Sequence, residues 1–423
     1  MPDASMPPAL RFMLAARRCE LQGLEELART CELVARLSGL IHALQRERGY
    51  SNLYLGRPDA GVLASLEGYT ADSHQHEQQV RAGLELLVPG PSAAAGQARL
   101  FGRVAFVLYS LEELPGLRRS IREQRIAALP ATESFTRIIG GLLGLVFDAA
   151  DSALDPALTR ALVAMFNFMQ GKELAGQERA TGVAGFATGY FSAELQARMA
   201  YLADGQTRCF EVFSAYAAAG GQPLWAALQN SEPEREVVRL RGLLHRTSAE
   251  ARVAPELGAL WFEVCTRRID AMKQVEDALA AELRQGCQQS ISQARAELEN
   301  HRLLLGRLAS QPAARFGQPL LFRVQDSPVA DGVGAQMSRS LLDLLQEQEL
   351  HLQQLEEELQ EARSALQERK LVEQAKRLLM SRYQLSEQAA HERLQRSAMD
   401  HGKRLAEVAS QLLEYARNSS QPV

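Results

Sequence analysis

One spacing governs most of this chain. From Leu10 to about Gln288, apolar residues recur at i, i+3, i+4 and i+7, as in Leu33, Leu37, Leu40, Ile41 and Leu44. That period lays an apolar stripe along one side of an α-helix. The two-residue alternation of a half-buried strand is scarce. The pattern breaks only at Gly and Pro clusters: Gly56–Asp59, Val88–Ser92, Leu154–Pro156, Gly220–Pro223 and Asn230–Pro233. These breaks leave about eight or more helices, and the reading is an all-α protein of bundled antiparallel neighbours. Aromatics make up only 6% of the residues. The abundance of Leu, Ala, Glu, Gln and Arg points the same way, since these are strong helix formers.

Residues 1–34 form a lead-in and first helix, and 35–288 a helical body. A connecting helix and a linker fill 289–337. Residues 311–336 carry three Pro and three Gly, the composition of a hinge. In 338–368 a heptad follows. Leu345, Leu352, Leu359 and Leu366 lie seven apart, with Leu341, Gln348, Leu355 and Ala362 on the same seam. The spacing fits a dimeric coiled coil, or one amphipathic helix lying on the bundle. Residues 369–418 close the chain with a net charge of +4, against −8 for the remainder, so the overall −4 conceals a basic end. The segment divides into three helices: one over about Leu371–Ser381, a second capped by Ser386, and a third after Asp400 and Gly402. Leu378, Leu379, Leu385, Ala389, Leu394, Ala398, Leu405, Val408, Ala409 and Leu412 supply a small core. Met380 and Met399 are read as core as well. Lys376, Arg377, Arg382, Arg393, Arg396, Lys403 and Arg404 are left for the outside.

Whole classes of function are disfavoured. No run approaches the ~20 apolar residues of a membrane-spanning helix, and the start of the chain lacks the order of a signal peptide. Five scattered cysteines (Cys19, Cys31, Cys209, Cys265, Cys287) form no CxxC pair and read as buried small hydrophobes of a reduced cytoplasm. GxGxxG, GxxxxGK[ST], HExxH and GxSxG are all absent. His74 and His76 are two apart, so on a helix they share no face. The expectation is a non-enzymatic regulator with no cofactor and no metal.

Two words in the helical body resemble each other. LQRERGYSNLYL carries Glu47, Arg48 and Gly49; GKELAGQERATGVAGF carries Glu178, Arg179 and Gly182. Each sets an arginine among small residues in an otherwise apolar helix. An arginine buried there needs an anion. One source is an internal carboxylate, Glu47 or Glu178. The other is a small planar oxyanion, whose shape the guanidinium fork matches. Arg239 and Arg241, in EPEREVVRLRGLLH, are further candidates. LQRERGYS followed by GKELAGQERATG resembles the NIT domain, a nitrate- and nitrite-sensing family, over roughly 35–285. The resemblance implies two four-helix bundles with the anion held by arginines between helices. Arg48 is then the foremost ligand, Arg239 or Arg241 the second, and Arg179 a member of the same pocket.

Residues 368–414 closely resemble the ANTAR domain, an RNA-binding antitermination module. Ala375-Lys376, Leu379-Met380, Leu385, Glu387, Ala389-Ala390, Leu394, Ala398-Met399, Leu405 and Val408-Ala409 carry the match in order. Arg377 and Gln395 depart from it. The resemblance implies binding to leader RNA with paired stem-loops, with Lys376, Arg377, Arg393, Arg396, Lys403 and Arg404 on the phosphates. Sensor, hinge, coiled coil and RNA module follow in the order of nitrate-responsive antiterminators. The implied protein is a homodimer that acts on the transcription complex indirectly. Its sensor masks the basic face until nitrate or nitrite binds. The other readings are a DNA-binding regulator, or a partner-binding protein whose anion site is a salt-bridged core.

Overall fold

The computed structural model describes the chain except for residues 1–7, 86–96, 154, 219, 245, 248–251, 255, 311–332, 386 and 419–423. The described residues form thirteen helices and no strand. The first bundle is built from α1 (Pro8–Gly56), α2 (Ala60–Glu85), α3 (Gln97–Leu111) and α5 (Ala128–Ser152), with the short α4 (Leu114–Arg122) before α5. The second uses α6 (Pro156–Thr188), α7 (Ala193–Tyr216), α9 (Glu232–Leu244) and α10 (Leu257–Ser310), with the short α8 (Gln222–Gln229). The bundles share long sides, because α1 packs on α10 and α5 on α6. Residue 35 lies in the middle of α1 and residue 289 in the middle of α10, so neither position is a structural break.

Local chemistry sets the helix ends. Asp155 caps α6, accepting from Leu158 N–H at 2.9 Å, and Pro156 takes the first turn where its missing donor costs nothing. Gly189, at φ 77°, ends the same helix in the left-handed region that glycine tolerates. The α1 stripe predicted from spacing is the core of the first bundle. Val34, Leu37, Leu40, Ile41 and Leu44 are sealed from solvent against Phe135, Ile139, Leu142 and Leu162. The second bundle is centred on Phe168, Phe210, Phe213 and Trp225. Four of the five cysteines are buried as expected. Cys19 is exposed, on a turn of α1 outside the stripe.

One helix, α11 (Val333–Tyr383), contains both the heptad and the first helix of the C-terminal domain, with no joint at 368/369. Helices α12 (Glu387–His401) and α13 (Leu405–Asn418) complete that domain. Its core holds Ala375, Leu379, Ala390, Leu394, Ala398, Val408 and Ala409, so Ala375 and Ala390 replace the expected Leu378 and Ala389. Met380 packs against this core. Met399 does not: it is 82% exposed, one residue and hence about 100° beyond Ala398 on α12. The side chains of Leu341, Leu345, Gln348, Leu352, Leu355 and Ala362, residues 311–332 of the hinge, and the Ser386 cap lie outside the described residues. Leu366, the last heptad leucine, is buried in the core of the first bundle. Around it Arg363 donates to the Ala153 carbonyl (2.9 Å), Arg369 to Asn167 Oδ1 (2.6 Å), and Arg160 pairs with Glu361. This stretch of α11 lies on the helical body, against α5 and α6.

Candidate functional site

The two ER words meet at one place, where α1 passes α6. Adjacent residues on a helix point about 100° apart, so each Glu and its Arg face different neighbours. Glu47 turns into the first bundle, where Arg118 grips both of its oxygens (2.8 and 3.0 Å) and Ser73 donates at 2.5 Å. Glu178 turns into the second bundle. Arg241 donates to its two oxygens at 2.6 Å each, and Gln206 adds a bond at 2.8 Å. Burial alone would raise the Glu178 carboxyl, but the charge and donors of Arg241, the charge of Arg268 and the Gln206 hydrogen bond hold it below the usual range.

The two arginines turn toward each other instead. Arg48 and Arg179 are 1% and 2% exposed. Each lies on a glycine of the other's helix. A Cβ on Gly176 would sit 2.5 Å from Arg48 Nη2, and one on Gly49 would clash equally with Arg179 Nη2 at 2.4 Å. Only glycine lets both guanidiniums in. Arg48 donates from Nη1 and Nη2 to the two oxygens of Glu173 (2.6 and 3.1 Å) and from Nη1 to Thr136 (3.0 Å). Its Nε has no hydrogen-bond partner. Gln45 and Gln177 also donate to Glu173, at 2.8 and 3.0 Å. Arg48 therefore has an internal carboxylate, and it is Glu173 rather than the expected Glu47 or Glu178. Both of those are held by arginines of their own bundles.

Arg179 is provided for differently. Its donors go to Thr266 Oγ1 and the Gln45 carbonyl, both at 2.9 Å, and its plane lies over Phe262. Among the described residues no carboxylate pairs with it. Burial, then the Arg48 charge, bring its pKa down to about 10. The charges of Asp270 and Glu173 act on it in the opposite direction, but the two buried guanidiniums have one ion-paired carboxylate, Glu173 on Arg48, among the described residues. Arg48, Gly49, Asn52, Leu53, Gly176, Arg179, Ala180, Val183 and Phe262 line the small pocket between them.

The other predicted ligands are elsewhere. Arg241 is committed to Glu178. Arg239 is exposed, its Nε and Nη2 both on Glu236 one turn earlier (2.9 and 2.5 Å), and it faces away from the pocket. Sequence reasoning missed Glu173 altogether, although it stands in the second word. It also noted the small residues without identifying Gly49 and Gly176 as the seats of the two arginines. Among the described residues no group of His, Cys, Asp and Glu could hold a metal ion. No helix there is long and apolar enough to cross a membrane.

On the C-terminal domain, Arg377, Arg393, Arg396, Lys403 and Arg404 are exposed. Arg393 stacks over Tyr383 (4.4 Å), Lys403 donates to Gln411 (3.0 Å), and Arg404 approaches Glu368 (3.8 Å). Lys376 is not on this face. It is buried between Glu373 (2.7 Å) and Glu387 (2.9 Å), and Tyr201 of α7 donates to that same Glu387 at 3.1 Å. Packing of α11 against α12 draws it inward, and it braces the contact with the sensor. Of the six predicted RNA contacts, Lys376 is therefore buried and Arg377, though exposed, lines the cleft that faces the bundles. Docking covers the root of the domain and leaves Arg393, Arg396, Lys403 and Arg404 in solvent.

The nitrate and nitrite sensing family (NIT) matches residues 39–284, and the ANTAR domain family matches residues 360–413. The nitrate regulatory protein of Klebsiella oxytoca is 34% identical over 409 residues, covering 96% of this chain and 95% of that protein. The solved structure of the NasR transcription antiterminator is 32% identical and covers 97% of this chain and all of its own, with a TM-score of 0.59. With one family spanning the arginine pocket and the other the three-helix end, the chain belongs to the nitrate and nitrite sensing family, in the branch that continues into an ANTAR domain.

Proposed function

We infer that this chain is a nitrate-responsive regulator of transcription antitermination, and that Arg48 and Arg179 are its nitrate- or nitrite-binding pair. One observation carries the assignment: two buried guanidiniums face each other and, among the described residues, only one of them has an ion-paired carboxylate, Glu173 on Arg48, while Asp270 reaches Arg179 through its charge alone. A buried cation without an acid is costly, and a small anion makes up the deficit. Nitrate and nitrite are planar oxyanions. They can use a guanidinium fork bidentately, as a spherical chloride cannot. Nothing at the site does covalent work on the anion; the protein binds it and responds.

The response reaches RNA through α6. That helix carries Glu173 and Arg179 at the pocket and Asn167 at the α11 contact. An anion that favours a different packing of α1 on α6 shifts the equilibrium of the docked helix, to the extent of its differential affinity for the two arrangements. While α11 is docked, Leu366 is committed to the sensor and unavailable to a second copy. Undocking returns the heptad seam to dimerisation. A dimer presents two ANTAR domains to the two hairpins of a leader RNA, and the second contact gains from the effective concentration set by the first. Arg377, Arg393, Arg396, Lys403 and Arg404 meet the phosphates. The setting is the cytoplasm, where the leader is transcribed.

A gel shift with the leader RNA of the adjoining nitrate operon tests this, with and without nitrate and with chloride matching the ionic strength. Binding that requires nitrate is the expected result. Equal binding in both lanes removes the control by nitrate, and no binding in either lane removes the RNA assignment. Calorimetry on Arg48→Ala tests the pocket: the nitrate heat should vanish.

A further inference from the structure

The anion site already contains an anion. Glu173 engages Arg48 in the two-pronged geometry a planar oxyanion would use, with two parallel N–H···O bonds of 2.6 and 3.1 Å. Beside it the pocket leaves a cavity of about 10 Å³, room for one water. An ion of four heavy atoms cannot be added to this arrangement. A group of similar size must leave.

The groups around the two arginines differ in their freedom to do so. The Gln45 carbonyl belongs to the α1 backbone. Thr136 and Thr266 are short side chains fixed to α5 and α10. Glu173 has a flexible side chain, and its acceptor end matches nitrate in shape and charge. It also has somewhere to go. Glu173 lines a second cavity, an open cleft of about 570 Å³ between the sensor and helices α11 and α12. The walls of that cleft carry four cations, Arg103, Arg369, Lys370 and Arg377, against two further carboxylates, Glu373 and Glu387, both of them paired with Lys376.

We propose that Glu173 is a tethered competitor for the nitrate site: it holds Arg48 in the anion-free chain, and nitrate binds by displacing it into the cavity facing α11. The proposal rests on the assignment of Arg48 and Arg179 as the anion pair. Two consequences follow from the geometry. The apparent affinity for nitrate is the intrinsic affinity reduced by the fraction of time Glu173 has released Arg48. Each anion bound also transfers one negative charge from the buried α1–α6 seam to a cleft where Arg369, Lys370 and Arg377 of α11 meet the paired acids Glu373 and Glu387. Ligand exchange at one end thereby becomes an electrostatic change at the other.

The test is calorimetric titration of the full-length Glu173→Gln protein with sodium nitrate, with chloride holding the ionic strength constant. Glutamine keeps the shape and removes the charge. Nitrate should bind at least about tenfold tighter than in the parent, and nitrate should raise the melting temperature of the variant more than that of the parent. Equal or weaker binding overturns the proposal. Glu173→Asp retracts the carboxylate by one methylene, keeps a buried anion for folding, and should shift affinity in the same direction; it decides the matter if the glutamine variant fails to fold. Arg48→Ala separates the two levels of the argument. If it abolishes binding while Glu173→Gln brings no gain, the site stands and the competitor falls. If it retains binding, the site falls and the competitor with it.

Discussion

The outer and inner charges of the two ER words use the same residue types to opposite ends. Outside, Glu47 with Arg118 and Glu178 with Arg241 are closed pairs, and each bundle neutralises its own charge. Inside, Arg48 and Arg179 come from different bundles, and among the described residues the pair has one ion-paired acid, Glu173 on Arg48, with Asp270 acting on Arg179 only at a distance. Burial alone does not separate the two cases, since all the carboxylates and both inner arginines are nearly sealed from solvent. The count of charges does. On the proposed assignment, a buried arginine becomes a ligand-binding group where the protein leaves it short of an ion-paired acid.

The sharpest way to break this contrast is to unbalance an outer pair. Glu178→Ala strands Arg241, and the sensor should lose about 3 kcal/mol or more in urea unfolding, with nitrate adding no more stability than it adds to the parent. A nitrate gain larger than that of the parent would place ligand binding at Arg241 instead. The inner site should respond the other way. Arg179→Gln removes a cation that has no acid, so unfolding in chloride should change little. Nitrate affinity should fall about tenfold to a hundredfold, the worth of charge-assisted bonds. A smaller effect is expected from Gly49→Ala. The new methyl pushes the Arg179 guanidinium off its seat, weakening nitrate binding by about tenfold while leaving the outer pairs intact. Calorimetry on both variants provides the comparison.

The mildest test concerns the contact between sensor and RNA-binding domain, where Lys376 is balanced by Glu373 and Glu387 but His391 has no hydrogen-bond partner. His391 packs edge-on against Tyr201. Burial, then the charges of Arg208 and Lys376, lower its pKa from 6.5 to about 4, against an opposing pull from Glu373 and Glu387. The docked state therefore favours the neutral ring. Its contribution is complete above pH 6.5 and is lost as the pH falls toward 4. Amide exchange in α12 should speed up over that window in the parent and change less in His391→Gln.

The sequence made the helices legible because a 3.6-residue stripe such as Leu33–Leu44 has only one way to be buried. It also located the arginine words. What it left open was partner choice, which depends on contacts more than a hundred residues apart: Arg48 with Glu173, or Arg179 with the Gln45 carbonyl. A local signal does sort part of this. Arg239 has Glu236 three residues before it and takes it as a partner. Arg48, Arg179 and Arg241 have no acid three or four residues before or after them, so each must be answered by another helix. Applied to the four candidates, that rule alone excludes Arg239. Lys376 was misplaced for a related reason, since the acids that draw it inward stand on both α11 and α12. Met399 was misplaced by one residue of helical phase.

The unbroken run of α11 makes a mechanical statement. Fifty-one residues at 1.5 Å each form a rod of about 76 Å, and its far end is the first helix of the RNA-binding domain. Such a rod transmits angle as faithfully as distance. Each residue inserted near 369 would turn everything beyond it by about 100°, whereas seven would return it nearly to phase and lengthen the arm by about 10 Å. The direction in which the basic face looks is thus written into the number of residues between Leu366 and Ala375, as the pitch of a screw fixes where its slot comes to rest.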